Sequence, residues 1–152
     1  MDSQDRPAFV CAWRGYLRAH AAIHRVVGRE LREYGLSGAQ LAILRVLSEA
    51  GESGVKLNEI SHRLAVTSGN VTGLIDRLEE AGHLVRHAHP EDRRVTLAVL
   101  TPAGREVFER VQPAHLGRVE RVMSSLTPQE QLLLADLLDR IAEHACLEDE
   151  RR

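Results

Sequence analysis

One short segment with strand-like alternation interrupts a chain whose other patterns are helical. Residues 95–99 alternate Val and Leu with Thr and Ala, which is typical of a β-strand. The run at 84–88 can pair back onto this segment across a turn at Pro90. Because a lone hairpin is at best marginally stable in water, it must pack against helices. The chain is therefore expected to fold as a mainly α protein with one small β element.

The segments before the hairpin begin with two well-marked helices. Apolar residues recur at steps of three and four over about residues 8–33, which predicts one long helix. Gly35 suits the left-handed position that ends such a helix. The sequence Ser37-Gly38-Ala39-Gln40 is a capping box and predicts the start of a second helix, which stops near Gly51.

Two further helices are predicted after the hairpin. Thr101 caps the first of them, with Pro102 at its first helical position. Pro113 is expected to kink or interrupt it, because proline cannot donate a backbone hydrogen bond. The capping box at 127–130 opens the last helix, giving six helices in all.

Two short helices directly precede the hairpin, one over 57–64 and one over 67–81, joined by about three residues. That layout is a helix-turn-helix, and the hairpin makes it a winged version. Such a motif needs a second helix that buries one face and offers the other to the DNA major groove.

The helix at 67–81 meets this requirement. Its buried stripe is Val71, Leu74, Ile75 and Leu78. Two glycines lie on the opposite face, although each costs a helix interior about 1 kcal/mol against Ala, which suggests close approach to a partner. We expect the helix to enter DNA by its N-terminal half, because Glu80 would repel phosphate. The expected contacts are Thr67, Ser68, Gly69, Asn70, Thr72, Gly73 and Arg77.

The hairpin and the residues around it carry a family resemblance. Asp92-Arg93-Arg94, followed by Leu100-Thr101-Pro102-Ala103-Gly104, resembles the wing signature of the MarR family of bacterial transcriptional regulators, D-x-R and then L-T-x-x-G. Residues 71–82 resemble the recognition helix of that family and its exit. The order of six helices with one two-stranded wing also matches, so the resemblance covers nearly the whole chain.

The resemblance implies a homodimer with one winged helix-turn-helix lobe in each chain. In this single domain, 1–152, the helices at about 8–34 and 102–147 would form the dimerisation region and 37–101 the DNA-binding lobe. Two recognition helices would enter successive major grooves of a pseudo-palindromic operator, roughly 34–36 Å apart. The resemblance implies a sequence-specific transcriptional regulator that responds to a ligand and that represses transcription.

The resemblance also gives the hairpin tip its role. Arg94 would reach into the minor groove, Asp92 would steer it by a charge-assisted bond, and Arg93 would touch phosphate. The net charge of −2 does not oppose this, since charges act within a Debye length of about 8 Å. Where family members often carry a basic or bulky side chain this chain has Gly73, which shifts specificity toward the wing and DNA shape. Secondary backbone contacts are expected from Lys56, His62, Arg63 and Arg86.

A small-molecule effector is a further implication, since family members commonly respond to small aromatic or phenolic anions. A pocket needs apolar walls and a few convergent polar groups. The alternative for the first-helix residues is plain packing at an interface. The candidate ligand residues are Trp13, Tyr16, His20, His24, Arg45 and His115.

Two alternative functions remain open from the sequence. A peroxide-sensing subgroup of the family uses a cysteine in the first helix; counted from residues 35–40, that position is Trp13 here, and Cys11 lies two residues earlier. Redox sensing through Cys11 is therefore one alternative. The other is a helical dimerisation module that binds protein instead of DNA.

The sequence disfavours several classes of protein, namely enzymes, metal-binding proteins, and secreted or membrane proteins. P-loop, GxGxxG, GxSxG and HExxH motifs are absent, so we expect no enzyme and no cofactor. The two cysteines form no CxxC pair, and the histidines lack zinc-ligand spacing, so no metal is expected. The N-terminus lacks a signal-peptide layout and no apolar run approaches a membrane span of roughly 20 residues. We expect a cytoplasmic protein with no membrane contact.

Overall fold

A computed structural model describes residues 6–64, 68–92 and 94–150. In this part of the chain the helices are α1 (Ala8–Glu33), α2 (Gly38–Ala50), α3 (Leu57–Leu64), α4 (Ser68–Glu80), α5 (Pro102–Met123) and α6 (Pro128–Glu150). The strands are β1 (Val55–Lys56), β2 (Leu84–Ala88) and β3 (Thr96–Leu100). The prediction of six helices around a winged helix-turn-helix is confirmed.

The chain divides into two compact units, Met1–Leu116 and Gly117–Arg152. The first unit contains the helix-turn-helix and the hairpin. The boundary between the units falls inside α5, after Leu116. The division into a DNA-binding lobe and dimerisation helices stays a prediction.

The predicted helix ends are formed by local hydrogen bonds. Gln40 donates its backbone N–H to Ser37 Oγ at 3.2 Å, and Ser37 donates its own to Gln40 Oε1 at 2.9 Å, so the first capping box is confirmed. Gly35 follows α1 with a φ of 70°. At the start of α6, Thr127 donates its backbone N–H to Glu130 Oε2 at 2.8 Å. These local signals predicted the helix ends because each cap depends on residues three apart in the chain.

Pro113 lies inside α5, and the helix continues through it to Met123. Pro113 therefore does not interrupt the helix, and the alternative that it kinks the helix stays a prediction. The missing proline N–H removes one bond to the carbonyl four residues earlier. The bonds on either side of that position are enough to carry the helix past it.

The sheet has three antiparallel strands in the order β1-β3-β2. The hairpin pairs Leu84 with Leu100 and Ala88 with Thr96, as predicted, although the strand begins at Thr96 and not at 95. β1 was not predicted, because two residues are too few to show alternation. It pairs with β3 at Val55↔Ala98, so the wing is anchored on its second side.

The core of the first unit lies between α2, α4 and the sheet. On α4, Val71, Ile75 and Leu78 are fully buried and Leu74 is half-buried, as the predicted stripe requires. Burying each such side chain stabilises the fold by roughly 1.5–3 kcal/mol. This packing fixes the rotation of α4 about its axis and leaves its opposite face to solvent.

Candidate nucleic-acid interface

The solvent face of α4 forms one side of an open groove of about 380 Å³. Thr72 is exposed on a neighbouring part of the same helix. Ser68 begins α4, and Thr67 lies outside the described residues. Of the seven residues predicted to contact DNA on this helix, four line the groove: Gly69, Asn70, Gly73 and Arg77. Its lining is Gly69, Asn70, Gly73, Leu74 and Arg77 from α4, with Ala39 from α2.

The two glycines of this groove are not required by the packing of the chain. A Cβ built at Gly69 or Gly73 would meet no atom within 4 Å. Alanine at Gly73 would also favour the helix. What glycine provides at these positions is a bare backbone surface that an outside partner can approach closely.

The hairpin tip holds an exposed cation in a fixed orientation. Arg94 donates from Nε to Asp92 Oδ1 at 3.1 Å and from its backbone N–H to the same oxygen at 3.1 Å. The Arg94 side chain nevertheless remains 89% exposed. Hydrogen bonds from the Arg94 side chain and backbone, aided by the charges of His89 and Lys56, hold the pKa of Asp92 below its usual value. Arg93 lies outside the described residues.

The wing is joined to the start of α5 by a close junction. Thr101 donates its hydroxyl to the Gly82 carbonyl at 2.7 Å and accepts the Gly104 N–H at 3.0 Å. A Cβ at Gly104 would lie only 1.9 Å from the His83 carbonyl oxygen, so only glycine fits. The L-T-x-x-G motif therefore fixes the wing, the turn after α4 and α5 to one another.

A charge contact between the wing and α4 was missed in the sequence. Arg86 on β2 pairs with Asp76 and with Glu79, both on α4. Asp76 lies 10 positions and Glu79 lies 7 positions before Arg86 in the chain, so no helical or strand spacing indicates the contact.

The residues predicted to make secondary contacts to the DNA backbone differ in whether their charges are paired within the chain. Arg63 pairs with Glu59 within α3 at 2.6 Å. Lys56 and His62 are exposed. Arg63 and Arg86 are thus paired with carboxylates of the same chain, as Arg94 is with Asp92, but their side chains are less exposed, 46% and 27% against 89% for Arg94.

The candidate ligand residues fall into an aromatic row and two separate positions. The rings of Trp13 and Tyr16 stack at 5.6 Å, and His20 and His24 continue the row at 5.9 Å spacings along exposed α1. Arg45 lies 3.8 Å from Glu49 on α2. His115 on α5 is half-buried, and its Nδ1 atom has no hydrogen-bond partner among the described residues.

Cys11 and Cys146 are both exposed and free. Across the described ranges, no three His, Cys, Asp or Glu side chains are grouped so as to hold a metal ion. Likewise, none of the described helices combines the length and apolar character that crossing a bilayer requires.

The fold and the groove define a winged helix-turn-helix protein, and comparison with known proteins gives its family. A profile of the MarR family matches residues 34–95. YkoM of Bacillus subtilis (strain 168), a helix-turn-helix-type transcriptional regulator, is 37% identical over 133 residues, which cover 88% of this chain and 85% of YkoM. The chain belongs to the MarR family. It is a DNA-binding transcriptional regulator and not an enzyme.

Two solved structures are similar to this chain along most of its length. Sco3205 of Streptomyces coelicolor, a MarR family regulator in complex with DNA, has a TM-score of 0.84 and 26% identity and covers 92% of each chain. CouR of Rhodococcus jostii RHA1, bound to p-coumaroyl-CoA, has a TM-score of 0.76 and 26% identity, covering 84% of this chain and 90% of its own.

Proposed function

We propose that the protein is a homodimeric, sequence-specific repressor that binds a pseudo-palindromic operator through α4 and the wing. Asn70, Thr72 and Arg77 are assigned to base edges and phosphates in the major groove. Gly69 and Gly73 admit the DNA backbone close to α4. Thr67 and Ser68 are also assigned to DNA contacts.

The observation that carries this proposal is the fixed, exposed guanidinium of Arg94. Its bonds to Asp92 orient it without burying it, so it is ready to contact an anionic groove. Charge-assisted bonds of this kind hold an arginine fork in one geometry. Arg93 is assigned to phosphate beside it. The complex of Sco3205 with DNA supports this use of the fold.

The experiment is a fluorescence-anisotropy titration of DNA from upstream of the protein's own gene, at several salt concentrations. Arg94→Ala is expected to weaken binding by at least about tenfold and to reduce the slope of log K against log salt by about one. Arg140→Ala is the matched control, because Arg140 pairs with Asp136 on α6. It is expected to leave both quantities unchanged.

Two results would contradict the proposal. One is equal affinity for the upstream fragment and unrelated DNA of the same length. The other is an interaction with a protein partner that does not depend on salt and that Arg94→Ala leaves intact. That result would favour the alternative function, a helical dimerisation module that binds protein instead of DNA.

Dimerisation is supported by the apolar side chains that α1 and α6 leave in water. A monomer rarely exposes a continuous apolar stripe of this kind, and such stripes mark protein interfaces. A second copy of the chain would cover them and would set the spacing of two recognition helices. The exposed members on α6 are Leu133, Leu137, Leu138 and Ile141, and those on α1 include Phe9 and Trp13.

An effector is assigned to the aromatic row on α1. Trp13, Tyr16, His20 and His24 offer ring faces to a small aromatic or phenolic anion, and Arg45 or His115 would pair with its charge. The binding of p-coumaroyl-CoA by CouR supports this ligand class. A ligand weakens DNA binding only if it binds the DNA-free state better. Thermal-shift measurements with aromatic acids test the assignment, and no shift with any of them opposes it.

A further inference from the structure

Arg86 occupies the middle of β2, and its side chain reaches two carboxylates on α4. One terminal nitrogen contacts Asp76, and the other lies 3.2 Å from Glu79 Oε2. The backbone N–H of Arg86 donates to Glu79 Oε1 at 3.0 Å. Both Glu79 oxygens and one Asp76 oxygen are therefore held by a single residue of the wing.

The position of Asp76 makes this contact relevant to DNA. Asp76 lies close to one turn after Gly73 on α4, toward the solvent face that lines the groove. A free carboxylate at this position would repel phosphate. Arg86 supplies one positive charge from outside the helix and shares it between Asp76 and Glu79, which lowers the negative charge beside the groove.

The same contact holds two DNA-facing elements together. The Arg63–Glu59 pair lies within one helix, whereas the Arg86 contacts join a strand of the wing to α4. An arginine fork can serve two carboxylates at once, which a lysine cannot do with the same geometry. Arg86 is also only 27% exposed, against 89% for Arg94.

We propose that Arg86 is a positioning residue for DNA binding: it acts through Asp76 and Glu79 and does not itself contact DNA. This inference rests on the proposed DNA-binding function. It replaces the sequence-based expectation that Arg86 contacts the phosphate backbone. Its consequence is that the effect of removing Arg86 depends on whether the two carboxylates are present.

The test is a mutant cycle on the full-length protein, with affinity for the upstream DNA measured at several salt concentrations. Arg86→Gln in the wild-type background is expected to weaken binding at least about tenfold. In the Asp76→Asn, Glu79→Gln background the same change is expected to cost less than about threefold, because coupled residues are not additive. In that background the salt slope is expected to stay unchanged.

A direct phosphate contact predicts the opposite pattern and would overturn the inference. Arg86→Gln would then cost a similar factor in both backgrounds, and the salt slope would fall by about one in each. Circular dichroism and thermal unfolding without DNA check that each variant folds. If Arg86→Gln does not fold alone, Arg86→Lys is compared in both backgrounds with the same criteria.

Arg94→Ala separates this inference from the proposed function. If wild type does not prefer the upstream DNA and Arg94→Ala changes nothing, the proposed function fails. If Arg94→Ala weakens binding while Arg86→Gln costs the same in both backgrounds, DNA binding stands and the inference about Arg86 alone is wrong.

Discussion

The guanidinium of Arg94 lies against the carboxylate of Asp92, with Nε 3.1 Å from Oδ1, at the exposed tip of the wing. The backbone N–H of Arg94 donates to the same oxygen. The contact is local, since a single residue separates Asp92 from Arg94 in the chain, and it orients the guanidinium. A cation held in this way loses little further freedom when it meets an anionic partner.

The first prediction concerns the pKa of Asp92. Hydrogen bonds from Arg94 hold this pKa below its usual value, so the ionised carboxylate favours the folded wing at neutral pH. That contribution is lost as the pH falls through the lowered pKa. Arg94→Ala should raise the pKa of Asp92 toward its ordinary value in an NMR titration. Arg77→Ala is the control; an unchanged Asp92 pKa in Arg94→Ala would count against the contact.

The second prediction concerns Gly104. Gly104→Ala places a Cβ 1.9 Å from the His83 carbonyl oxygen, and two backbone segments must separate to admit it. We expect a loss of about 3 kcal/mol in the free energy of unfolding, measured with urea. Gly38→Ala, where a Cβ meets open space, should change stability little. Equal midpoints for the two variants would show that the junction is not tight.

The third prediction separates stability from binding at Gly73. Gly73→Ala should stabilise the fold by up to about 1 kcal/mol, because alanine favours a helix interior and meets no neighbour. The same methyl group should weaken DNA binding by about tenfold, since it occupies the groove. Gly15→Ala on α1 is the matched control, with open space but no place in the groove. If Gly73→Ala binds DNA as tightly as wild type, the close approach is refuted.

The fourth prediction tests the apolar stripe of α6. Leu137→Glu should convert the proposed dimer to a monomer, as measured by sedimentation at micromolar concentration. Leu132→Glu is the matched control, because Leu132 is 73% exposed and, at about 100° per residue, lies well away from the stripe. A mass unaffected by Leu137→Glu would place the interface elsewhere.

Much of the fold was predictable because its signals are local. The caps at Ser37 and Thr127 and the left-handed Gly35 each depend on residues within one helical turn. The buried stripe of α4 follows from a period of 3.6 residues. These features recur in the structure with the predicted partners.

The candidate interface was only partly predictable. The exposed face of α4 and the Asp92–Arg94 contact follow from short spacings along the chain. Strand β1 and the ion pairs of Arg86 do not, because their partners are brought together by the packing of separate elements.

The sequence by itself determined where helices begin and end, which face of α4 is buried and where the wing turns, since short-range sterics and hydrogen bonds decide these. Only the tertiary structure decided that Arg86 pairs with Asp76 and Glu79 of α4 and that Gly104 lies against the His83 carbonyl. Contacts of this second kind form when segments distant in the sequence pack together. A periodic sequence pattern does not indicate which segments will be in contact.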